Sequence, residues 1–437
     1  MKLYPHQQQV LDQTRDFKNV AYYLDMGLGK TFVGSEKMFQ IGNRVNLVIC
    51  QKSKIEDWLN HFEQYNSPDE YHNFNMIYDL TDKNGYEAFM HVVDDHGYTQ
   101  TIIGVINYEL AWRRPELKFL RYFTLILDES SMIQNESAKR TKFILNLNLN
   151  PKNVILLSGT PTSGRYEKLW SQLQLLGWTV SKKTYYSQFV IQDFIDVYGC
   201  SFKIPVVIGY KNVDRLKAKL AAHGAVFMKT EEVMDLPEQT HINVSVPTTP
   251  AYRRFMKKHM VWVDNEQLIG DTTLTQRLYA RQLCGQYNED KLQAFRNILE
   301  SSGDRVIVFY NFNRELDELM TVCKLTERPV SIINGSVKDL TAYETERDSV
   351  TLVQYQAGSM GLNLQLSNTI VYFTLPERSE LFEQSKKRIH RIGQTRPCFY
   401  YYLLCKGSVE VSIMQALKMR KDYTDELFIH DFVEEKR

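Results

Sequence analysis

Residues 24–31, Leu-Asp-Met-Gly-Leu-Gly-Lys-Thr, set a lysine and a threonine where an apolar segment gives way to a helix-forming one. Asn19-Val-Ala-Tyr-Tyr-Leu24 reads as a buried strand, and Thr31-Phe-Val-Gly-Ser-Glu-Lys-Met38 continues as a helix. Between them Gly27 and Gly29 permit a tight turn, so the N–H groups around Leu28 face one concavity. A nest of that kind, joined to the partial positive charge of a helix N-terminus, suits phosphate oxygens. Lys30 is placed for the β- and γ-phosphates of a nucleoside triphosphate, and the Thr31 hydroxyl for magnesium. Leu24 stands where the general phosphate-loop pattern has its first glycine. Taken alone, Gly-Lys-Thr is equally consistent with an ordinary glycine-rich turn.

Two further groups favour chemistry. Phe123-Thr-Leu-Ile-Leu-Asp-Glu-Ser-Ser131 is an apolar strand ending in paired carboxylates. Asp128 suits a metal held at the strand's end, and Glu129 suits the orientation of an attacking water. Asn153-Val-Ile-Leu-Leu157 then runs into Ser158-Gly-Thr-Pro-Thr162, a polar turn positioned to sense phosphate. Far downstream, Glu383-Gln-Ser-Lys-Lys-Arg-Ile-His-Arg-Ile-Gly-Gln394 puts Arg388 and Arg391 three residues apart, the spacing of neighbours on a helix face. A guanidinium fork matches phosphate oxygens and stays charged. If two lobes close over the nucleotide, these arginines reach its γ-phosphate. His390 reads as a hydrogen-bonding residue, because no His or Cys partner stands at ligand spacing.

The elements that must hold these groups fall into two α/β blocks. Strands are predicted at 19–24, 45–50, 101–106, 123–128 and 153–157, then at 305–310, 330–334, 350–354, 369–373 and 398–404, with helices between. The aromatic-rich stretch 166–229, with Lys168-Leu-Trp-Ser-Gln-Leu-Gln-Leu-Leu176, reads as a helical insertion closing the first block. Asp235-Leu-Pro-Glu-Gln, followed by Pro247-Thr-Thr-Pro250, reads as the crossing, giving domains 1–235 and 236–437. A length of 437 residues admits two or three domains, and an apolar fraction of 43% is enough for their cores. No apolar run approaches the ~20 residues of a membrane span, and the N-terminus lacks a signal-peptide pattern. Six cysteines without CxxC spacing suggest reduced thiols, no zinc site and a cytoplasmic location. A net charge of +1 means that any nucleic-acid surface must be local.

Together these segments resemble the Swi/Snf-type DNA translocases of helicase superfamily two, along nearly the whole chain. Leu3-Tyr-Pro-His-Gln7 is similar to the family's opening glutamine motif, which implies that Gln7 reads adenine. Asp25-Met-Gly-Leu-Gly-Lys-Thr31 is similar to its phosphate loop, which dispenses with the first glycine. Val48-Ile-Cys-Gln-Lys-Ser53 through Trp58, and Asn107-Tyr-Glu-Leu110, resemble segments that grip the DNA backbone, which implies contacts from Lys52, Ser53 and Tyr108. Ala225-Val-Phe-Met-Lys-Thr-Glu-Glu-Val233, then Leu236-Pro, resembles the signature before the second lobe. In that lobe Val306-Ile-Val-Phe-Tyr-Asn-Phe312 and Ile333-Asn-Gly-Ser336 imply DNA contacts at Asn311, Gly335 and Ser336. Ala357-Gly-Ser-Met-Gly-Leu-Asn-Leu-Gln365 resembles the coupling motif, implying DNA contacts at Ala357 and Gly358 and a nucleotide contact at Gly361.

The resemblance implies an α/β fold of two tandem RecA-like parallel-sheet lobes. It implies a DNA-dependent ATPase using ATP and Mg²⁺, moving along duplex or branched DNA through backbone contacts with little sequence preference. A monomer working with replication or recombination proteins, away from membranes, is the expected setting. Two departures stand out: Ser130-Ser131 follow the paired acids where the family has a small residue and histidine, and Phe373-Thr-Leu-Pro-Glu-Arg378 lacks the usual aspartate and tryptophan-asparagine-proline turn. An RNA-directed ATPase, a nucleotide-gated clamp with little hydrolysis, and the motor subunit of a nuclease assembly are the alternatives.

Overall fold

Runs such as Val45–Cys50 and Val306–Tyr310 are apolar at nearly every position and buried throughout. That is the state of a parallel strand covered by helices on both faces. The computed structural model describes residues 3–65, 75–95, 97–147, 151–159, 161–162, 165–195, 204–233, 235–358 and 362–419. The chain divides into two compact units, Met1–Val233 and Met234–Arg437.

The first unit contains β1 (Asn19–Leu24), β2 (Val45–Cys50), β3 (Met76–Asp79), β4 (Ile102–Asn107), β5 (Thr124–Asp128), β6 (Asn153–Leu157), β7 (Val190–Ile195), β8 (Ile204–Tyr210) and β9 (Ala225–Met228). Seven of these form a sheet ordered β3-β4-β2-β5-β6-β1-β9, with every pairing parallel. One face packs Leu47, Leu125, Leu156 and Phe143 into a core, and the other packs Val48, Ile126, Ile155 and Trp58. The alternation along each strand therefore feeds two separate apolar layers.

The second unit contains β10 (Gln239–Val246), β11 (Met260–Val263), β12 (Glu266–Ile269), β13 (Val306–Tyr310), β14 (Val330–Ile333), β15 (Lys338–Asp339), β16 (Val350–Gln354), β17 (Thr369–Tyr372) and β18 (Cys398–Cys405). Its sheet is ordered β10-β18-β17-β13-β16-β14-β15, parallel except for the short β15. Two parallel, helix-covered sheets in tandem are the RecA-like architecture the sequence implies.

β3, β11, β12 and β15 lie outside the predicted strands, and three stretches differ further from expectation. The stretch 166–229 is helical only in part, at Trp170–Leu175, Lys182–Phe189 and Val213–Ala222. It also carries the antiparallel hairpin β7–β8, whose Ile204-Pro-Val-Val-Ile-Gly-Tyr210 is rich in β-branched residues. β9 pairs along β1 from Ala21↔Ala225 to Leu24↔Met228, so it completes the first sheet. The expected crossing contains β10, an edge strand whose alternating exposure hid it from a search for apolar runs. No described helix is long and apolar enough to cross a membrane. Cys50, Cys284, Cys323, Cys398 and Cys405 are free and buried; Cys200 lies outside the described residues.

Candidate nucleotide site

Parallel sheets gather loops at the carboxyl ends of their strands, and ligands bind there. In the first unit the neighbours β5, β6 and β1 bring Asp128-Glu129, Ser158-Gly159 and Asp25–Thr31 to the same edge. The turn after β1 has positive φ at Gly27 (91°) and Gly29 (76°), and the helix Lys30–Ile41 begins directly after Gly29. The left-handed backbone at Gly29 strains any other residue, and a Cβ there would also force Gln7 Nε2 to shift.

Gln7 is buried, and its amide bonds to the chain at both polar atoms. Nε2 donates to the Leu28 carbonyl at 3.2 Å, and Oε1 accepts from the Tyr4 N–H at 2.9 Å. These bonds use one N–H and one lone pair of an amide that offers two of each, so Gln7 braces the phosphate loop with half of its hydrogen-bonding capacity. Lys30 Nζ donates to the carbonyls of Leu24 at 3.1 Å and Asp25 at 3.5 Å. Gly159 lies close by, since a Cβ there would sit 3.3 Å from the same ammonium. The loop's other side is held by Thr230, whose N–H and hydroxyl donate to Asp25 Oδ2 at 3.1 and 3.4 Å. The signature 225–233 thus touches the loop directly.

Asp128 is buried, and its carboxylate is fixed at both oxygens. Oδ1 accepts from the Glu129 N–H at 3.0 Å, and Oδ2 from Trp58 Nε1 at 2.9 Å. Glu129 has φ 50° and ψ 59°. A left-handed glutamate stores about 1–3 kcal/mol of strain, and such residues cluster at functional sites. Its Oε2 accepts from Ser158 Oγ at 3.4 Å, which ties the paired acids to the polar turn after β6. Ser130 is fully buried and donates to Gln172 Oε1 at 2.8 Å; Tyr23 donates to the same oxygen at 3.0 Å, and Gln172 Nε2 donates to the Pro161 carbonyl at 3.1 Å. Ser130 thus ties the segment after the paired acids to Gln172 and, through it, to the turn at Pro161.

Two residues were missed as parts of this site. Gln172 is fully buried on the helix Trp170–Leu175, and nothing in the sequence separates it from its polar neighbours Ser171 and Gln174. Trp58 lies on the helix Ile55–Glu63, directly after the exposed Lys52 and Ser53, and it orients Asp128. Trp58→Phe keeps an aromatic ring and removes the donor. It is expected to lower magnesium-dependent turnover about 10- to 100-fold, the range for partners that orient ligands, with partial recovery at high Mg²⁺. A magnesium titration of ATPase activity checks this.

His61, on the same helix, lies 2.8 Å from the Ser35 hydroxyl of the nucleotide helix and is pushed down to about 4 by burial. The unfolded chain then binds the extra proton between that value and about 6.5, so stability is full above the unfolded value and is lost as pH falls. The loss expected at pH 5 is about 2 kcal/mol, and His61→Gln should flatten it; melting temperature against pH is the readout.

The remaining assignments divide. Lys52 and Ser53 are exposed, as are Gly335 and Ser336, where Asn334 Oδ1 accepts from the Ser336 and Val337 N–H groups. Tyr108 is corrected: it is fully buried, and its hydroxyl donates to the Asp128 carbonyl at 2.9 Å, so it supports the acid strand and offers nothing to DNA. Asn311 spends its amide on Thr374 Oγ1 at 2.9 Å and the Leu375 carbonyl at 3.0 Å. Ala357 and Gly358 end the short helix Tyr355–Gly358, and Gly361 lies outside the described residues.

Arg388 and Arg391 do not share a helix face, because the helix Ser379–Lys386 ends before them. They sit in the following turns, where Gly393 has φ 92°. What brings them together is one acceptor: each donates Nη1 to the Leu362 carbonyl at 3.4 Å. Arg388 is 1% exposed, while Arg391 is half-buried and its pKa is lowered by desolvation. His390 pairs with the Pro237 carbonyl at 2.9 Å, and Gln394 Nε2 donates to the Ser367 and Gln365 carbonyls. The unusual Leu375-Pro-Glu377 turn is pinned by Arg277 and Arg281, whose guanidiniums lie 3.0 and 3.1 Å from the Glu377 carboxylate.

A family model described as the SNF2-related domain matches residues 19–290, and one described as the helicase conserved C-terminal domain matches residues 290–393. The chain is 22% identical over 442 residues to the mouse (Mus musculus) SWI/SNF-related matrix-associated actin-dependent regulator of chromatin subfamily A member 1, covering 91% of this chain and 40% of that one. It is 24% identical to a Drosophila melanogaster subfamily A-like protein 1, covering 91% of this chain and 52% of the relative. The chain thus spans about half or less of the length of these relatives. It is also similar to the Sulfolobus solfataricus SWI2/SNF2 ATPase core in complex with dsDNA, at 20% identity and a TM-score of 0.43, covering 100% of this chain and 96% of that one.

Proposed function

Because this chain belongs to the SNF2-related family, we propose that it hydrolyses ATP in response to duplex DNA and uses the energy to move along it. The observation that carries the reading is the convergence of Lys30, Asp128, Glu129 and Ser158 at the carboxyl ends of adjacent strands. The phosphate nest and Lys30 hold the triphosphate. The donors fit magnesium: the Thr31 hydroxyl and the Asp128 carboxylate are hard oxygen ligands, and Asp128, with one bond received at each oxygen, retains lone pairs. Bound there, the ion would neutralise charge on the phosphates.

Glu129 orients the water for in-line attack, with its own carboxylate steadied by Ser158. Trp58 keeps Asp128 in one rotamer. Arg388 and Arg391 offset charge that spreads onto the phosphoryl oxygens, Arg391 as the acting guanidinium and Arg388 as the buried support beside it. Their shared anchor, Leu362, belongs to the coupling segment, so movement of that segment moves both arginines.

Lys52, Ser53, Gly335 and Ser336 are assigned to the DNA backbone, as are Ala357 and Gly358. Alternating grip by two units that respond to nucleotide turns hydrolysis into stepping. Contacts of this kind give weak sequence preference and steep salt dependence. The test is displacement of a third strand from a DNA triplex. ATP-dependent displacement without separation of the underlying duplex is expected; ATP binding with no displacement and no turnover would favour the clamp.

A further inference from the structure

The helix Pro250–Lys258 carries Arg253, Arg254, Lys257 and Lys258, all exposed, while Tyr252 and Phe255 bury the opposite face. With Thr248 and Gly407 the four cations line a concavity of about 470 Å³. Among the described residues no carboxylate pairs with any of them or lines that hollow.

Local structure accounts for only half of this charge. Lys257 and Lys258 fall in the last turn, where cations complement the helix dipole. Arg253 lies at the end of the first turn and Arg254 at the middle of a helix that begins with Pro250, where the dipole gives them no favourable interaction. Arg253 spends one nitrogen on Thr248, while Arg254 serves no cap. The residues also form two like-charge rows at i,i+4, Arg253/Lys257 and Arg254/Lys258. Each row costs about 0.2–0.5 kcal/mol in an isolated helix. A chain of net charge +1 has concentrated on one helix four cations that pair with no described carboxylate, at a cost to that helix.

We propose that this helix is a docking surface for the sugar–phosphate backbone of duplex DNA, separate from the segments already assigned to DNA. The proposal rests on the reading of the chain as a DNA motor. A polyanion is the ligand that relieves both rows at once, and the lack of an exposed aromatic within the hollow favours phosphates over stacked bases.

The test is binding of the full chain to a fluorescent random-sequence duplex across a salt series, for the parent and for Arg254→Ala/Lys257→Ala. The variant should lower the slope of log affinity against log salt by about 2, one for each phosphate no longer engaged. The DNA concentration for half-maximal ATPase should rise at least tenfold, with kcat at saturating duplex retained. Arg254→Lys/Lys257→Arg should restore both, and unchanged melting curves guard against misfolding. If the parent neither binds duplex nor responds to it, the motor reading fails and this inference with it. If the parent binds and the alanine variant keeps its slope and affinity, this inference alone is overturned. Loss of poly-glutamate binding with an unchanged DNA slope would assign the face to an acidic protein, also overturning it.

Discussion

Glu129→Gln is expected to bind ATP as tightly as the parent and to hydrolyse it about 10³-fold more slowly, within the range for a lost water-positioning or proton-accepting group. The substitution keeps size and shape and removes only the charge. Glu129 has no part in the phosphate nest, so ground-state binding is retained. Its left-handed backbone explains why the position is demanding: φ of 50° turns the chain away from the line of β5, so the side chain leaves the strand's end and meets Ser158. Equilibrium binding of labelled ATP and single-turnover hydrolysis separate the two effects. Hydrolysis within tenfold of the parent would remove the water-orienting role.

Arg391→Ala is expected to lower kcat by 10³- to 10⁵-fold with nucleotide affinity changed only several-fold, as for an arginine acting on the phosphoryl group in flight. Arg391 suits the experiment better than Arg388. Arg388 is almost wholly buried, so its removal leaves a cavity as well as a missing charge, whereas Arg391 is half-buried. Desolvation already disfavours the charged guanidinium at 391, and that same low-polarity setting strengthens its pull on a developing negative charge. Arg391→Lys should recover little, because a point charge lacks the fork. A loss of ATP affinity with kcat intact would reduce the residue to a binding contact.

How far the sequence could be read depended on what kind of force specified each part. Strands buried on both faces, such as β2, β5, β13 and β16, announce themselves as unbroken apolar runs, and their boundaries fell within a residue of expectation. β10 did not, because an edge strand with one exposed face alternates polar residues. The two-stranded β7–β8 lay inside an aromatic segment whose helices dominated its pattern. At the site, residues whose chemistry is local were legible: glycines, lysine and threonine of the loop, and the acids ending β5. Residues defined by long-range pairing were not. Trp58 looked like part of a DNA grip, yet its indole is 70 positions from the carboxylate it orients. Tyr108 looked like a surface contact and is core. Arg388 and Arg391 converge through a carbonyl acceptor, which spacing alone could not reveal.

Steady-state ATP hydrolysis at fixed salt, with saturating duplex DNA, single-stranded DNA, forked DNA or RNA, tests the central claim most directly. Duplex and forked DNA should raise turnover well above the protein alone, with single strands and RNA far less effective. Turnover unchanged by any DNA, or raised by RNA alone, would contradict the assignment of this chain as a duplex-DNA-driven ATPase.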